Sequence, residues 1–167
     1  MNSATILILF VVCLHQIVAV TDKHSSVWQI INNDNRLKRL AMALAVAGYN
    51  EGSQRDISMT VFAPNNAAFE KVPTDITQYY SDPANRNELA ELLAYHAVTN
   101  RSLTSSELLR MDLPARLETL MGGFITVTKQ DNKIHINDAT VIESDILANN
   151  GVIHIIDSVL MPIKSSK

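Results

Sequence analysis

The sequence predicts an α+β domain with a mostly antiparallel sheet. Apolar residues recur at helical spacing through the first half of the chain, they alternate through the second half, and one short β-prone segment stands early among the helices. Helices dominate the first half of the chain and strands the second, which is the order of an α+β domain.

In chain order, a polar lead from Thr21 to Ser26 precedes Leu37, Leu40, Ala41 and Leu44, which share one helical face, while Arg36, Lys38 and Arg39 fall largely elsewhere and Gly48 is placed to end the helix. Ser58 to Ala63 reads as a strand stopped by Pro64, and Asn65 is placed to cap a brief helix with Ala67, Ala68 and Phe69. Asp82 and Pro83 have the chemistry of an N-cap and first helical position, after which Leu89, Leu92, Leu93 and His96 share a face. Thr104 and Glu107 form a capping box ahead of Leu108 and Leu109. From Leu117 the pattern alternates. Ile125 with Val127, and Ile134 with Ile136, predict a hairpin turning at Asp131 and Asn132, with Lys133, His135 and Asn137 on the wet face. Ala139 to Glu143 is a further strand, Asn149 to Gly151 a turn, and Val152 to Leu160 a last strand apolar in both phases, as expected of a central strand covered on both faces.

At 167 residues the chain is long enough for one domain plus a short targeting segment. With 47% hydrophobic residues it can build a core without a metal or disulfide brace. Residues 1–19 contain no Asp, Glu, Lys or Arg, and the apolar run Ile6 to Leu14 suits the hydrophobic part of a secretory signal peptide cleaved after Ala19. An uncleaved anchor is the rival reading, and its apolar stretch is short for that task. Cys13, the single cysteine, lies in this leader, so the mature chain would carry no disulfide. The expected organisation is a signal peptide (1–19), a polar lead (20–24), one domain (25–163) and a polar tail (164–167) that lacks a lipid-anchor signal.

A net charge of −3 and a pI near 5.9 give no attraction for phosphate backbones or anionic lipid, so no nucleic-acid partner is expected, and because no second long apolar stretch follows the leader no membrane span is expected in the mature chain. There is no Gly-x-Ser-x-Gly, phosphate-cradling glycine loop or His-Glu-x-x-His, and His24, His96, His135 and His154 are not at metal-ligand spacing. His154 and Asp157 stand three apart in one expected strand and so face opposite sides. No enzyme activity, cofactor or metal is expected. Asn100, Arg101 and Ser102 form an N-glycosylation sequon just after an expected helix.

Two segments go beyond pattern. "TVFAPNNAAF" (Thr60 to Phe69) and "GVIHIIDSVLMP" (Gly151 to Pro162) resemble the two signature blocks of the fasciclin domain family, and "LLAYHAV" (Leu92 to Val98) is similar to its Tyr-His segment at the corresponding place. The stretch "TLMGGFITVTKQDNKIHINDATVIESDILANNGVIH" follows the family's hairpin and last strands, so the resemblance covers nearly the whole mature chain. It implies a β-sheet wedge with a helical layer, found in extracellular adhesion and matrix proteins. It also implies receptor contacts, by an integrin or a similar cell-surface receptor, at Tyr95 and His96 and at Asp145 and Ile146. An exposed carboxylate beside an aliphatic group suits a receptor-bound cation, whereas the plainer reading has Asp145 capping a turn and Ile146 packing inward. For Tyr95, a half-buried aromatic, and His96, on an apolar face, the plainer reading is structural. The sequence therefore predicts a secreted binding module that engages a receptor or matrix protein, with self-association as a route to bridging; the alternative is a carrier of a small apolar ligand such as a lipid in a cleft of the wedge.

Overall fold

Two neighbouring strands, β1 (Met59–Pro64) and β7 (Gly151–Ile156), are buried along their whole length. In the computed structural model, which describes residues 25–50, 52 and 57–162, they run parallel and in register from Met59 opposite Gly151 to Pro64 opposite Ile156. The leader with Ala19 and Cys13, His24, and the tail 164–167 lie outside the described residues. Parallel strands need a long crossover, and here it comprises everything between residues 65 and 150.

Ahead of β1 come α1 (Val27–Asn33), a 3₁₀ turn (Asn35–Leu37) and α2 (Lys38–Ala47). The crossover then builds α3 (Asn66–Glu70), α4 (Thr74–Ser81), a second 3₁₀ turn (Pro83–Asn85), α5 (Arg86–Ala94), β2 (Ala97–Thr99), α6 (Ser105–Arg110), β3 (Ala115–Glu118), β4 (Phe124–Gln130), β5 (Lys133–Ile136) and β6 (Ala139–Ala148). The sheet has seven strands in the order β2-β1-β7-β6-β5-β4-β3, antiparallel except between β1 and β7. The expected α+β class with a mostly antiparallel sheet is the observed one.

Alternation along β1 and β7 sends side chains into two cores. Val61, Ala63, Ile153 and Ile155 pack with Leu40 and Leu93 of the helices. Phe62 and Ile156 pack on the other side with Leu108, Ile125, Val127 and Ile136, where the β3–β6 half of the sheet and α6 close over them. Local signals act where expected: Gly48 ends α2 at φ 90°, Asn65 caps α3 by accepting from the Ala68 N–H, and Thr104 with Glu107 forms the capping box of α6. Asp131 (φ 49°) and Asn132 (φ 61°) make the two-residue turn between β4 and β5, with both central residues left-handed as such hairpins require.

Several expectations need correction. Asp82 and Pro83 open a 3₁₀ turn, and the α-helix itself begins at Arg86. Asn137 (φ 51°) is not on a wet face; it is half-buried and bonded to Thr126 and Tyr95. Strand β6 runs through Ala148, so "ESDIL" lies inside a strand, and β7 ends at Ile156. Asp157 follows β7 and accepts from the Thr140 N–H at 2.9 Å, well apart from the His154 ring. Helices α1 and α4 were not anticipated.

Gly151 allows the parallel pair to close, because a Cβ there would lie 2.1 Å from the Met59 carbonyl oxygen. Gly151→Ala must push β1 and β7 apart or tilt them, and a loss of more than about 2 kcal/mol is expected in urea unfolding. A loss below about 0.5 kcal/mol would show that the pair is not held this tightly.

Candidate functional site

Strand β6 carries an irregularity opposite the middle of β7. Its pairing runs Val141 to Ile156, Glu143 to Ile155 and Ile146 to Ile153, so extra residues are accommodated on β6 on either side of Glu143. Asp145, at φ 64°, is the residue that turns the second of these bulges, and it is exposed. A left-handed backbone inside a strand is unusual, although Asp tolerates it better than most residues. Bulges of this kind re-aim a side chain, and the Asp145 carboxylate is re-aimed at the start of α6. Oδ1 accepts from the Ser105 backbone N–H at 2.7 Å and Oδ2 from the Ser105 hydroxyl at 2.5 Å. A carboxylate offers about four lone-pair directions, so Ser105 leaves room on both oxygens.

The bulge is pinned from beneath by His154 on β7, which is fully buried and stacked on Phe62 with ring centroids 5.6 Å apart. Its Nε2 lies 2.8 Å from the Leu103 carbonyl and its Nδ1 accepts from the Asp145 N–H at 3.4 Å. These partners assign the neutral tautomer with the proton on Nε2. Ile146 is half-buried beside Asp145 and packs its inner side against the helical core.

Tyr95 and His96 lie elsewhere, just past the end of α5, and both are interior at 4% and 2% exposure. Tyr95 is therefore not half-buried as expected. Its hydroxyl donates to the Phe124 carbonyl at 2.8 Å and receives the Asn137 amide at 3.1 Å, tying α5 to the β4 and β5 hairpin. His96 Nε2 accepts from the Leu160 N–H at 2.9 Å, which leaves the proton on Nδ1 to meet the Leu92 carbonyl at 2.8 Å. The structure thus brings Asp145 and Ile146 together at the surface and keeps Tyr95 and His96 away from it. Among the described residues no buried side-chain N or O lacks a partner, and no cluster of His, Cys, Asp or Glu could hold a metal. The sequon residue Asn100 (φ 62°) is exposed after β2, following a strand and not the expected helix.

Sequence reasoning missed Ser105, Leu103 and His154 as the supports of Asp145, and Asn137 as the partner of Tyr95. Ser105 and Asp145 are 40 residues apart, Tyr95 and Asn137 42, and His154, 9 residues from Asp145, is itself held by Leu103 51 residues away, so no local pattern announces them.

A mixed sheet of this strand order, flanked by helices and turned on a buried parallel pair, defines an α+β domain of the fasciclin kind. Residues 35–162 match the Fasciclin domain family, and the chain belongs to it. It is 34% identical over 143 residues to the transforming growth factor-beta-induced protein ig-h3 of Sus scrofa, covering 86% of this chain and 20% of that one. Periostin of Homo sapiens is 32% identical over 144 residues, with 86% and 16% covered. The Synechocystis protein sll1483 is 31% identical over 144 residues, with 86% and 77% covered. The chain therefore spans a fifth or less of these two animal relatives and most of the bacterial one. A fasciclin domain pair from the insect cell adhesion molecule fasciclin I superposes with a TM-score of 0.69 at 17% identity over 83% of this chain and 51% of that one, a likeness of fold.

Burial lowers the His96 pKa from an ordinary 6.5 to about 4, the Leu92 carbonyl opposing it, and burial also lowers that of His154. Both folded values lie below the unfolded one, so as pH falls the unfolded chain takes up these protons first. The stability they secure is whole above about pH 6.5 and is lost progressively toward pH 4. The urea midpoint should fall steadily between pH 7 and 4.5; a flat midpoint would mean that both rings accept a proton in place.

Proposed function

We propose that the protein is a secreted, non-enzymatic binding module that attaches to a cell-surface receptor of the integrin type or to a matrix protein, with Asp145 and Ile146 at the contact. The observation that carries this reading is the exposed Asp145 carboxylate, turned out of β6 by a left-handed bulge and held by Ser105. A strained residue whose surroundings fix its direction is a recurrent feature of recognition sites. The carboxylate is oriented in advance and keeps lone pairs for a receptor-bound cation, while the half-buried Ile146 offers an aliphatic edge beside it. Membership of a family that includes domains of an insect cell adhesion molecule supports the adhesive role. Relatives in both animals and bacteria mean that family membership alone names no receptor. No helix among the described residues is long and apolar enough to cross a membrane.

In this reading Tyr95 and His96 support the scaffold and touch no receptor, because both rings are spent on internal hydrogen bonds. Loss of binding on their mutation would follow from loss of packing. One domain presents one such contact, so bridging two surfaces requires self-association. Asn100 is the glycosylation site, and treatment with a peptide N-glycosidase should lower the mass of protein released from eukaryotic cells by one N-glycan.

The test separates recognition from capping. Asp145→Asn should abolish cation-dependent adhesion of integrin-bearing cells. Ser105→Ala, which removes the hydroxyl that donates to Oδ2 but keeps the backbone N–H on Oδ1 and the charge of the carboxylate, should retain most of that adhesion while costing about 1.5 kcal/mol for the lost charge-assisted hydrogen bond. If both variants lose adhesion only in proportion to their lost stability, Asp145 is a structural cap and the proposed contact fails.

A further inference from the structure

Helix α2 has more apolar faces than its core contact uses. Leu40 and Ala41 are buried against the sheet, with Leu44 beside them, yet Met42 and Val46 on another face are 68% and 55% exposed. A helix apolar nearly all round is one that expects cover. Arg39, Met42, Ala43 and Val46 follow one another at the i, i+3, i+4, i+7 spacing of a single stripe, and that stripe is one wall of a trough of about 550 Å³. Tyr80 of α4 forms another wall, Leu92 of α5 lies at the bottom at 5% exposure, and Met161, 38% exposed, stands beyond β7 at the rim.

The polar groups of the trough are few and unevenly placed. Thr77 and Ser81 spend their hydroxyls on carbonyls of their own helix, Pro73 and Thr77 respectively. Arg39 is the one charged residue in the lining, and among the described residues its guanidinium meets one carboxylate, Glu70, at 3.4 Å, long for a charge-assisted bond between side chains that are both half exposed. A concave apolar surface of this size, with one cation in its lining, falls within the roughly 300–1,000 Å³ of small-molecule sites. The cleft between α1, α2 and β1 is different: at about 80 Å³ it is several times smaller than the trough.

We propose that this trough binds a single-chain amphiphile with an anionic head, in the class of long-chain fatty acids. The acyl chain lies along Met42, Val46 and Leu92 and the carboxylate pairs with Arg39 in exchange for Glu70. A protein partner or a second copy of the chain would call for a broad contact with a rim of polar groups. The trough offers one charge and otherwise apolar walls. The inference does not rest on the adhesion reading, and either can fail alone.

The test uses protein purified from cells that express the full chain. Titration with cis-parinaric acid, a fluorescent fatty acid, should saturate at one molecule per chain, and oleate should displace it. Val46→Glu and Met42→Glu place a carboxylate in the trough at exposed positions and should each weaken binding by roughly ten-fold or more, with the thermal midpoint unchanged. Two positions are used so that a folding failure at one leaves the other to decide. Arg39→Gln should weaken oleate several-fold and leave oleyl alcohol unaffected. Three results would each overturn the proposal: no saturable binding, binding that neither glutamate variant alters, or a dimer that Val46→Glu dissociates while the native mass shows no acyl chain on the wild type.

Discussion

The parallel pairing of β1 with β7 is the constraint on which the other features hang. Parallel neighbours cannot be joined by a hairpin, so the chain must travel from Pro64 to Gly151 before the pair closes. All the other strands and four of the helices are built on that journey. Because the pair is buried on both faces, a residue of β7 is either helical core or sheet core, and His154 is the one imidazole admitted there. Its ring is satisfied by Leu103 on one nitrogen and Asp145 on the other, so the central strand also sets the position of the β6 bulge. The surface feature of most functional interest is thus held from the middle of the sheet.

Much of the fold was legible in the sequence because its signals are local. Alternation marked the β4 and β5 hairpin, apolar character in both phases marked β7, and Gly48, Asn65 and the Thr104 to Glu107 box marked helix ends correctly. What escaped had either a weak local signal or a distant cause. Helix α4 buries no residue fully, and its apolar stripe is the short set Ile76, Tyr79 and Tyr80, only one turn for periodicity to show. Helix α1 is only 7 residues long, too short for periodicity to speak, although the Ser26 and Gln29 capping box that starts it was present to be read. The extension of β6 through Asp145 was hidden because bulges interrupt alternation, and a left-handed Asp in isolation reads as a turn. The candidate site itself was half legible: the Asp-Ile pair was found by resemblance, while its supports come from α6 and β7 and exist only once the sheet has closed.

The two interior histidines show why burial and chemistry must be read together. They adopt opposite tautomers, His96 with its proton on Nδ1 and His154 on Nε2, each dictated by one backbone carbonyl and one backbone N–H. A second proton on either ring would point a donor at a donor, which is the hydrogen-bond counterpart of the cost of placing charge in the core. Both nitrogens of each ring are occupied, so neither can also serve as an acid or a base. A histidine inside a family motif is here a fastener between a helix end and the chain beyond β7, and its strict geometry follows from that task alone.

Asp145 and the outer stripe of α2 are places where local preference and tertiary position disagree. Capping residues elsewhere cap and alternating residues alternate, although Phe124, Ile142 and Leu147 also leave apolar side chains about half exposed. At Asp145 a carboxylate takes a left-handed backbone within a strand, and on α2 a methionine and a valine face outward from a helix that already has a core side. The Asp145 carboxylate is bonded to Ser105 and its N–H to His154, whereas Met42 and Val46 stay exposed. Conflicts between local preference and position are what functional sites are expected to show. The two share no residue with each other, the first a directed charge on the sheet and the second an apolar channel between helices, so under the two proposals one domain would present surfaces of opposite chemistry that do not compete.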